Sequence, residues 1–252
     1  MADFTGVFDG NGHTIKNLTI QGNGNQAFFG TVNNAIIKNV TFENPIIISN
    51  NGYAAVLAVN SINSTIQNVK VDNAQLFSDK GGGGLFETFK VTSGSNTVAN
   101  NCNFNGKHTA IAIDSRSIGG FARYISNRDS NATMEISCCD TKLTTPDSII
   151  GSKYSYTGGF AGSIEIDGLN IYTKFTDCSS DVDINRNYSR TVSECPPSEI
   201  SEYLGGFAGH CYFRSNANGE PIFERCFSTG YLGARGSYHA GGFIGDIGEL
   251  TG

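Results

Sequence analysis

The 252-residue chain has no Trp, two Met, five Pro and only 16% charged residues. Soluble domains usually carry about 25% charge. No stretch has the makeup of a charged disordered tail. There is no run of Lys or Arg, and the formal net charge is −6. This argues against a nucleic-acid partner, because phosphate binding needs a basic face. No apolar stretch approaches the length of a transmembrane helix; Ala54 to Val59 is typical of the short runs present. The opening "MADFTGVFDG" lacks the basic and apolar regions of a secretory signal. It fits a cytoplasmic chain, one that follows a removed leader, or one inside a longer protein. The 7 Cys include no C-x-x-C pair, which removes the usual spacing of zinc and dithiol redox sites. Their odd number leaves at least one unpaired within a monomer.

What the chain does have is Gly, with 32 residues, and an abundance of Asn, Ser and Thr. That composition predicts many short strands and tight turns. Two elements alternate along the whole length. One is a short strand with Asn or Cys near its middle: "IKNLTI" (15–20), "IKNVTF" (37–42), "IQNVKV" (66–71), "VANNCNF" (98–104), "MEISCCD" (134–140), "FTDCSSD" (175–181) and "FERCFST" (223–229). The other is a glycine-rich segment around one bulky apolar residue. It begins as "AFFG" (27–30), "AAVLA" (54–58) and "GGLFE" (83–87), and ends as "GGFAR" (119–123), "GGFAG" (158–162), "GGFAG" (205–209) and "GGFIG" (241–245). Spacing grows from roughly 22–30 residues to roughly 36–48, as loop insertions do to a repeat with a constant core.

The expected fold is all-β: one domain over residues 1–252, a right-handed parallel β-helix (solenoid) of about seven coils, with a longer loop at about 184–203. A single coil cannot bury its apolar side chains, whereas stacked coils set like residues against like. Period two along a strand puts Phe160 on one face and Gly159 and Ala161 on the other. A core ladder of Phe29, Leu57, Leu85, Phe121, Phe160, Phe207 and Phe243 follows. Asn17, Asn39, Asn68 and Asn100 or Asn101 form a second ladder, continued by Cys102, Cys138 or Cys139, Cys178 and Cys226. Stacked Asn amides hydrogen-bond along the axis, and buried Cys fills space as a small hydrophobe. Free thiols are the first reading of the column, and disulfides between adjacent coils the alternative. Cys195 and Cys211 lie outside this register and are the better disulfide candidates. Five glycosylation sequons begin at Asn17, Asn39, Asn63, Asn131 and Asn187. Inward-facing Asn17 and Asn39 could not carry glycans, which leaves Asn131 and Asn187 as acceptors.

The opening "FTGVFDGNGHTIKNLTI" resembles the first coil of right-handed β-helix surface proteins, in which F-x-G-x-F-D-G-x-G-H-x-I leads into the array. The late unit "CFSTGYLGARGSYHAGGFIG" (226–245) is similar to GLUG-type repeats, where C-x-[ST]-G precedes G-G-L-x-G; here Phe replaces Leu. The resemblance implies an extracellular or cell-surface structural or adhesive role, without catalytic residues or cofactor.

Sharper chemistry finds little support in the residues. The carboxylates are scattered, with Asp177, Asp181 and Asp183 the densest group, reading as a solvated strand edge rather than the facing pair of a glycosidase. Asp9 reads as a turn cap. His13, His108, His210 and His239 are isolated, so no metal or catalytic set is expected. Two roles remain. A binding module would grip a surface glycan or protein through Arg186, Tyr188, Arg190 and Tyr203 of the long loop. A self-assembling unit would stack copies end to end, since the chain stops soon after a ladder residue without a polar cap.

Overall fold

The structure, a computed structural model, describes residues 2–110, 117–142, 149–150, 156–184, 203–214, 221–232 and 239–250. Among these residues the regular elements are all β-strands. They form a 14-stranded, a 7-stranded and a 5-stranded sheet, with parallel pairing throughout. The 7-stranded sheet takes its strands in chain order, from Phe29–Asn33, Ala58–Ile62 and Phe86–Val91 to Ala208–Arg214 and Ile244–Leu250. The 5-stranded sheet does the same from Gly81–Gly83 to His239–Gly241. Each visit of the chain to a sheet therefore lies against the previous one, and stacked side-chain pairs join residues from 27 to 48 positions apart.

From Leu85 onward the glycine pair before each bulky residue is required by space. A Cβ on Gly83, Gly119, Gly158, Gly205 or Gly241 would lie 1.7–2.0 Å from the carbonyl oxygen three residues ahead. A Cβ on Gly84, Gly120, Gly159 or Gly206 would lie 1.9–2.3 Å from a carbonyl of the next repeat. The first glycine lets the chain fold back from the 5-stranded into the 7-stranded sheet. The second lets adjacent repeats close up.

Behind those glycines Leu85, Phe121, Phe160 and Phe207 are fully buried, as is Leu57, which follows Ala55 and Val56. Their backbones form a single ladder: each N–H donates to the next carbonyl, from Leu57 to Leu85 at 3.0 Å through Phe207 to Phe243 at 2.8 Å. The rings of Phe121, Phe160, Phe207 and Phe243 stack in turn, with centroids 4.8, 4.5 and 4.8 Å apart. Phe29 does not head this column. It pairs with Ala58, which pairs with Phe86, and the register puts Phe28 beside Leu57. "AFFG" lacks the glycine pair, so the sequence offered nothing to choose between its two Phe.

The Asn and Cys residues need a larger correction, because they occupy adjacent columns. Asn39, Asn68 and Asn101 have φ of 56°, 53° and 51°, and the same left-handed corner is continued by Cys138, Asp177 and Arg225. Asn is the non-glycine residue best suited to that conformation. Its amides face outward: Asn68 Nδ2 donates to Asn39 Oδ1 at 2.9 Å, and Asn101 Nδ2 to Asn68 Oδ1 at 2.9 Å. Asn39 Nδ2 donates to Asp9 Oδ1 at 3.0 Å. Asn17 belongs to a different corner column with Asn44 and Asn73. One position on, facing inward, Cys102 follows Val40 and Val69, and the register carries the column to Cys139, Cys178 and Cys226. The corner turns the chain between the outward Asn and the inward Cys, so neighbours in sequence part to opposite sides.

Phe160→Asp strands a charge in the ladder and is expected to cost more than about 4 kcal/mol, against about 1 kcal/mol for Phe160→Leu. Urea unfolding of both variants checks this. At the corner, Asn68→Ala is expected to lose about 2 kcal/mol from left-handed strain and broken amide bonds. Asn68→Gly, relieved of the strain, retains more stability in the same assay.

Candidate functional site

Arg186, Tyr188, Arg190, Asn187 and Cys195 lie outside the described residues. Tyr203 belongs to strand Tyr203–Gly205, at the first position of its row in the 5-stranded sheet. That position is held by Tyr156, Tyr203 and His239 in successive repeats. Tyr203 packs against Tyr156 and against His239, with centroids 5.2 Å apart in each pair. In the adjoining 7-stranded sheet one column runs Tyr124, Ser163, His210, Asp246. The His210 ring stacks on Tyr156 at 4.5 Å and joins the two columns into one strip.

Polar and charged groups run through the strip. Asp246 accepts from His239 Nδ1 at 2.7 Å and lies 3.6 Å from His210 Nε2. Burial lowers the pKa of His210, while Asp246 and Glu165 oppose that shift. Tyr124 donates its hydroxyl to Glu165, and burial together with that carboxylate raises its pKa. Arg128 bonds Glu165 at 3.0 Å and lies 3.6 Å from Asp167. Arg123 binds the buried Glu87 through Nε at 2.7 Å and Nη2 at 2.6 Å. Its guanidinium lies 4.6 Å from the centre of the Tyr53 ring. Ser163 and the imidazole Nδ1 of His210 are buried without hydrogen-bond partners for Ser163 Oγ or that nitrogen. The order Ser163, His210, Asp246 is that of a hydrolytic triad, yet the nucleophile–base hydrogen bond such a triad needs is missing.

The other residues singled out from the sequence lie elsewhere. Asn131 is exposed with φ of 57°, and its Oδ1 accepts from Asn170 at 3.3 Å. Asp177 pairs with Arg225, Asp181 accepts from Thr229 at 2.9 Å, and Asp183 accepts from the Tyr231 N–H at 2.8 Å. Each of these carboxylates ties one repeat to the next. Asp9 accepts from the Asn11 N–H at 2.9 Å. Cys102, Cys138, Cys139, Cys178, Cys211 and Cys226 are free thiols. Cys211 lies in the interior between Ile164 and Ile247, and burial pushes its thiol up to about 12. Burial, with the thiols of Cys102 and Cys178 beside it, raises Cys139. Among the described residues no group of three or more His, Cys, Asp or Glu could hold a metal ion.

Tyr124, Tyr156, Tyr212 and Asp246 were not picked out from the sequence, and His210 and His239, read there as isolated, both lie against Asp246. The available signal was repeat alignment: counting two residues past the Ala of each "GGFA" puts His210 over Ser163. Variable loops hid the rest.

No known protein family matches the chain, so the GLUG-type resemblance gains no support there. No solved structure matches either. Over 83 residues, 32% of the chain, it is 41% identical to Halomucin from Haloquadratum walsbyi. The chain spans 1% of that protein's length. Among the described residues no helix is long and apolar enough to cross a membrane.

A further titratable group is enclosed in the core. His108 stands between Leu76 and Ile149 in its column, 2% exposed, with Ser78 Oγ at 3.1 Å from Nε2. Burial lowers its pKa to about 4, so the folded chain holds it neutral. The unfolded chain binds the proton near the ordinary value of about 6.5. Stability is then complete above that value and falls as pH drops toward 4, by about 2 kcal/mol at pH 5. Urea unfolding at pH 7 and pH 5 is expected to show this difference, and His108→Leu to reduce it.

Proposed function

We propose that this chain is a right-handed parallel β-helix of about seven coils and a non-catalytic structural or adhesive module of a cell-surface or extracellular assembly. The observation that carries the reading is how the polar side chains are used. The corner amides and many carboxylates bond to the repeat above or below, from Asp9–Asn39 to Asp183–Tyr231. The residues thus serve to extend and stiffen a stack. The right hand follows the general preference of parallel crossovers. Similarity to a protein whose name denotes a mucin supports an extracellular setting.

A second reading is end-to-end assembly of copies, which the parallel stacking of like strands permits. Filaments that lengthen with concentration in negative stain would favour it.

The surface role is tested with an antiserum raised against the purified chain. Labelling of intact, unpermeabilised source cells, lost after mild protease shaving, is the expected result. Signal that emerges only after permeabilisation would overturn it.

A further inference from the structure

We propose that Asn131 carries an N-linked glycan, with Asn17 as a second acceptor, and that the folded stack denies the same modification to Asn39 and Asn63. The proposal rests on the extracellular reading, because a chain meets lipid-linked sugar donors as it leaves the cytoplasm.

Four sequons lie within the described residues, at Asn17, Asn39, Asn63 and Asn131, and all have the form Asn-x-Thr. Each asparagine stands at a left-handed corner, with φ between 50° and 57°. Motif and backbone therefore do not separate them. Nor does facing, since Asn17 and Asn39, expected inward from the sequence, both lie in outward corner columns. What separates them is the use of the side-chain nitrogen, the atom to which a sugar is joined. Asn39 Nδ2 donates to Asp9 Oδ1 at 3.0 Å, while its Oδ1 accepts from Asn68 at 2.9 Å. Asn63 Nδ2 donates to Thr92 Oγ1 at 2.7 Å, and its Oδ1 accepts from the Thr92 N–H at 2.7 Å. Both side chains belong to half-buried residues and are held at oxygen and nitrogen alike by neighbouring repeats.

Asn131 is arranged differently. It lies in the turn between strands Ala122–Asn127 and Thr133–Ser137, and it is exposed. In the preceding repeat its corner is occupied by Gly94, which has φ of 68° and no side chain to pair with. The amide ladder therefore starts at Asn131. Its Oδ1 accepts from Asn170 Nδ2 at 3.3 Å, and its Nδ2 is unpaired among the described residues. Asn17 repeats the pattern: exposed, with Oδ1 accepting from Asn44 Nδ2 at 3.3 Å and Nδ2 unpaired among the described residues. Glycosyl transfer joins Nδ2 to C1 of a sugar carried on phosphate, breaks the C1–O bond to that phosphate and passes one amide proton to the transferase. At Asn131 and Asn17 this leaves the ladder bond through Oδ1 intact. At Asn39 and Asn63 a bond between repeats must open first.

The test is glycopeptide mass spectrometry of the full chain isolated from its source cells. Trypsin puts Asn17 in peptide 17–38, Asn39 and Asn63 together in 39–70, and Asn131 in 129–142. Glycan on 129–142 and 17–38, with 39–70 bare, is the expected result. A bare 129–142, or glycan on 39–70, overturns the proposal. Thr133→Ala, which removes the sequon and keeps the corner asparagine, is expected to abolish the glycan on 129–142. The purified chain is also treated with UDP-glucose and a soluble N-glycosyltransferase that modifies Asn-x-Ser/Thr. The folded chain is expected to take glucose at Asn131 about tenfold faster than at Asn39 or Asn63, the factor for one hydrogen bond that must open first. Synthetic peptides carrying the same sequons are expected to react alike, which assigns the selection to the fold. Equal rates in the folded chain, or the same ranking among the peptides, overturns it. Ready glucose transfer to Asn131 beside a bare 129–142 from cells would place the failure in the extracellular reading. Slow transfer to Asn131 in the folded chain would place it in the site.

Discussion

The arrangement depends on how closely two backbones approach at the paired glycines. From Gly83 onward the chain folds back from one sheet into the next with a glycine that has no Cβ to strike the carbonyl three residues ahead. The second glycine leaves the next repeat's carbonyl clear, whereas the Leu57 repeat makes the turn with Ala55 and Val56 in these places. Once that contact is made, the bulky residue that follows has one place to go. Leu57, Leu85 and the Phe residues after them fill it, and their rings stack face to face as the repeats do.

Closeness of this kind would be unfavourable if polar groups were left unpaired between repeats. The left-handed corners meet that need. An Asn at such a corner adopts its backbone conformation at low cost and turns its amide toward the repeats on either side. Where Asn is lost, Arg225 and Asp177 replace amide pairing with an ion pair in the same column. Immediately inward of that corner, Val40, Val69 and then the Cys series occupy a slot that admits only a small apolar side chain. One sequence position separates the hydrated edge of the stack from its dry interior.

The two ends of the array put their outer faces to different uses. Early repeats carry Thr31 and Asn60 in the column that later holds Tyr124, Ser163, His210 and Asp246. The stacking of the core is indifferent to that change, since the column points away from it. A repeat architecture thus permits local chemistry to accumulate on one face without disturbing the ladder behind it.

The repetition of "GGFAG" was enough to foresee an all-β stack of parallel strands and the buried Phe, because only like-on-like burial explains a bulky residue held at constant place among glycines. The placement of Phe28 over Phe29 was not legible, since two adjacent Phe satisfy the same pattern. Nor was the separation of Asn39 from Cys102 into neighbouring columns: both stand mid-motif, and only the left-handed φ at the corner reveals which one faces water. The strip of Tyr156, Tyr203, His210 and Asp246 was least legible of all, because its members are separated by loops of unequal length. The sequence by itself determined that repeats stack and what they bury, for those demands recur locally in every unit. Only the tertiary structure decided which side chains from different repeats meet, because register between distant strands is set by the summed packing of the whole stack.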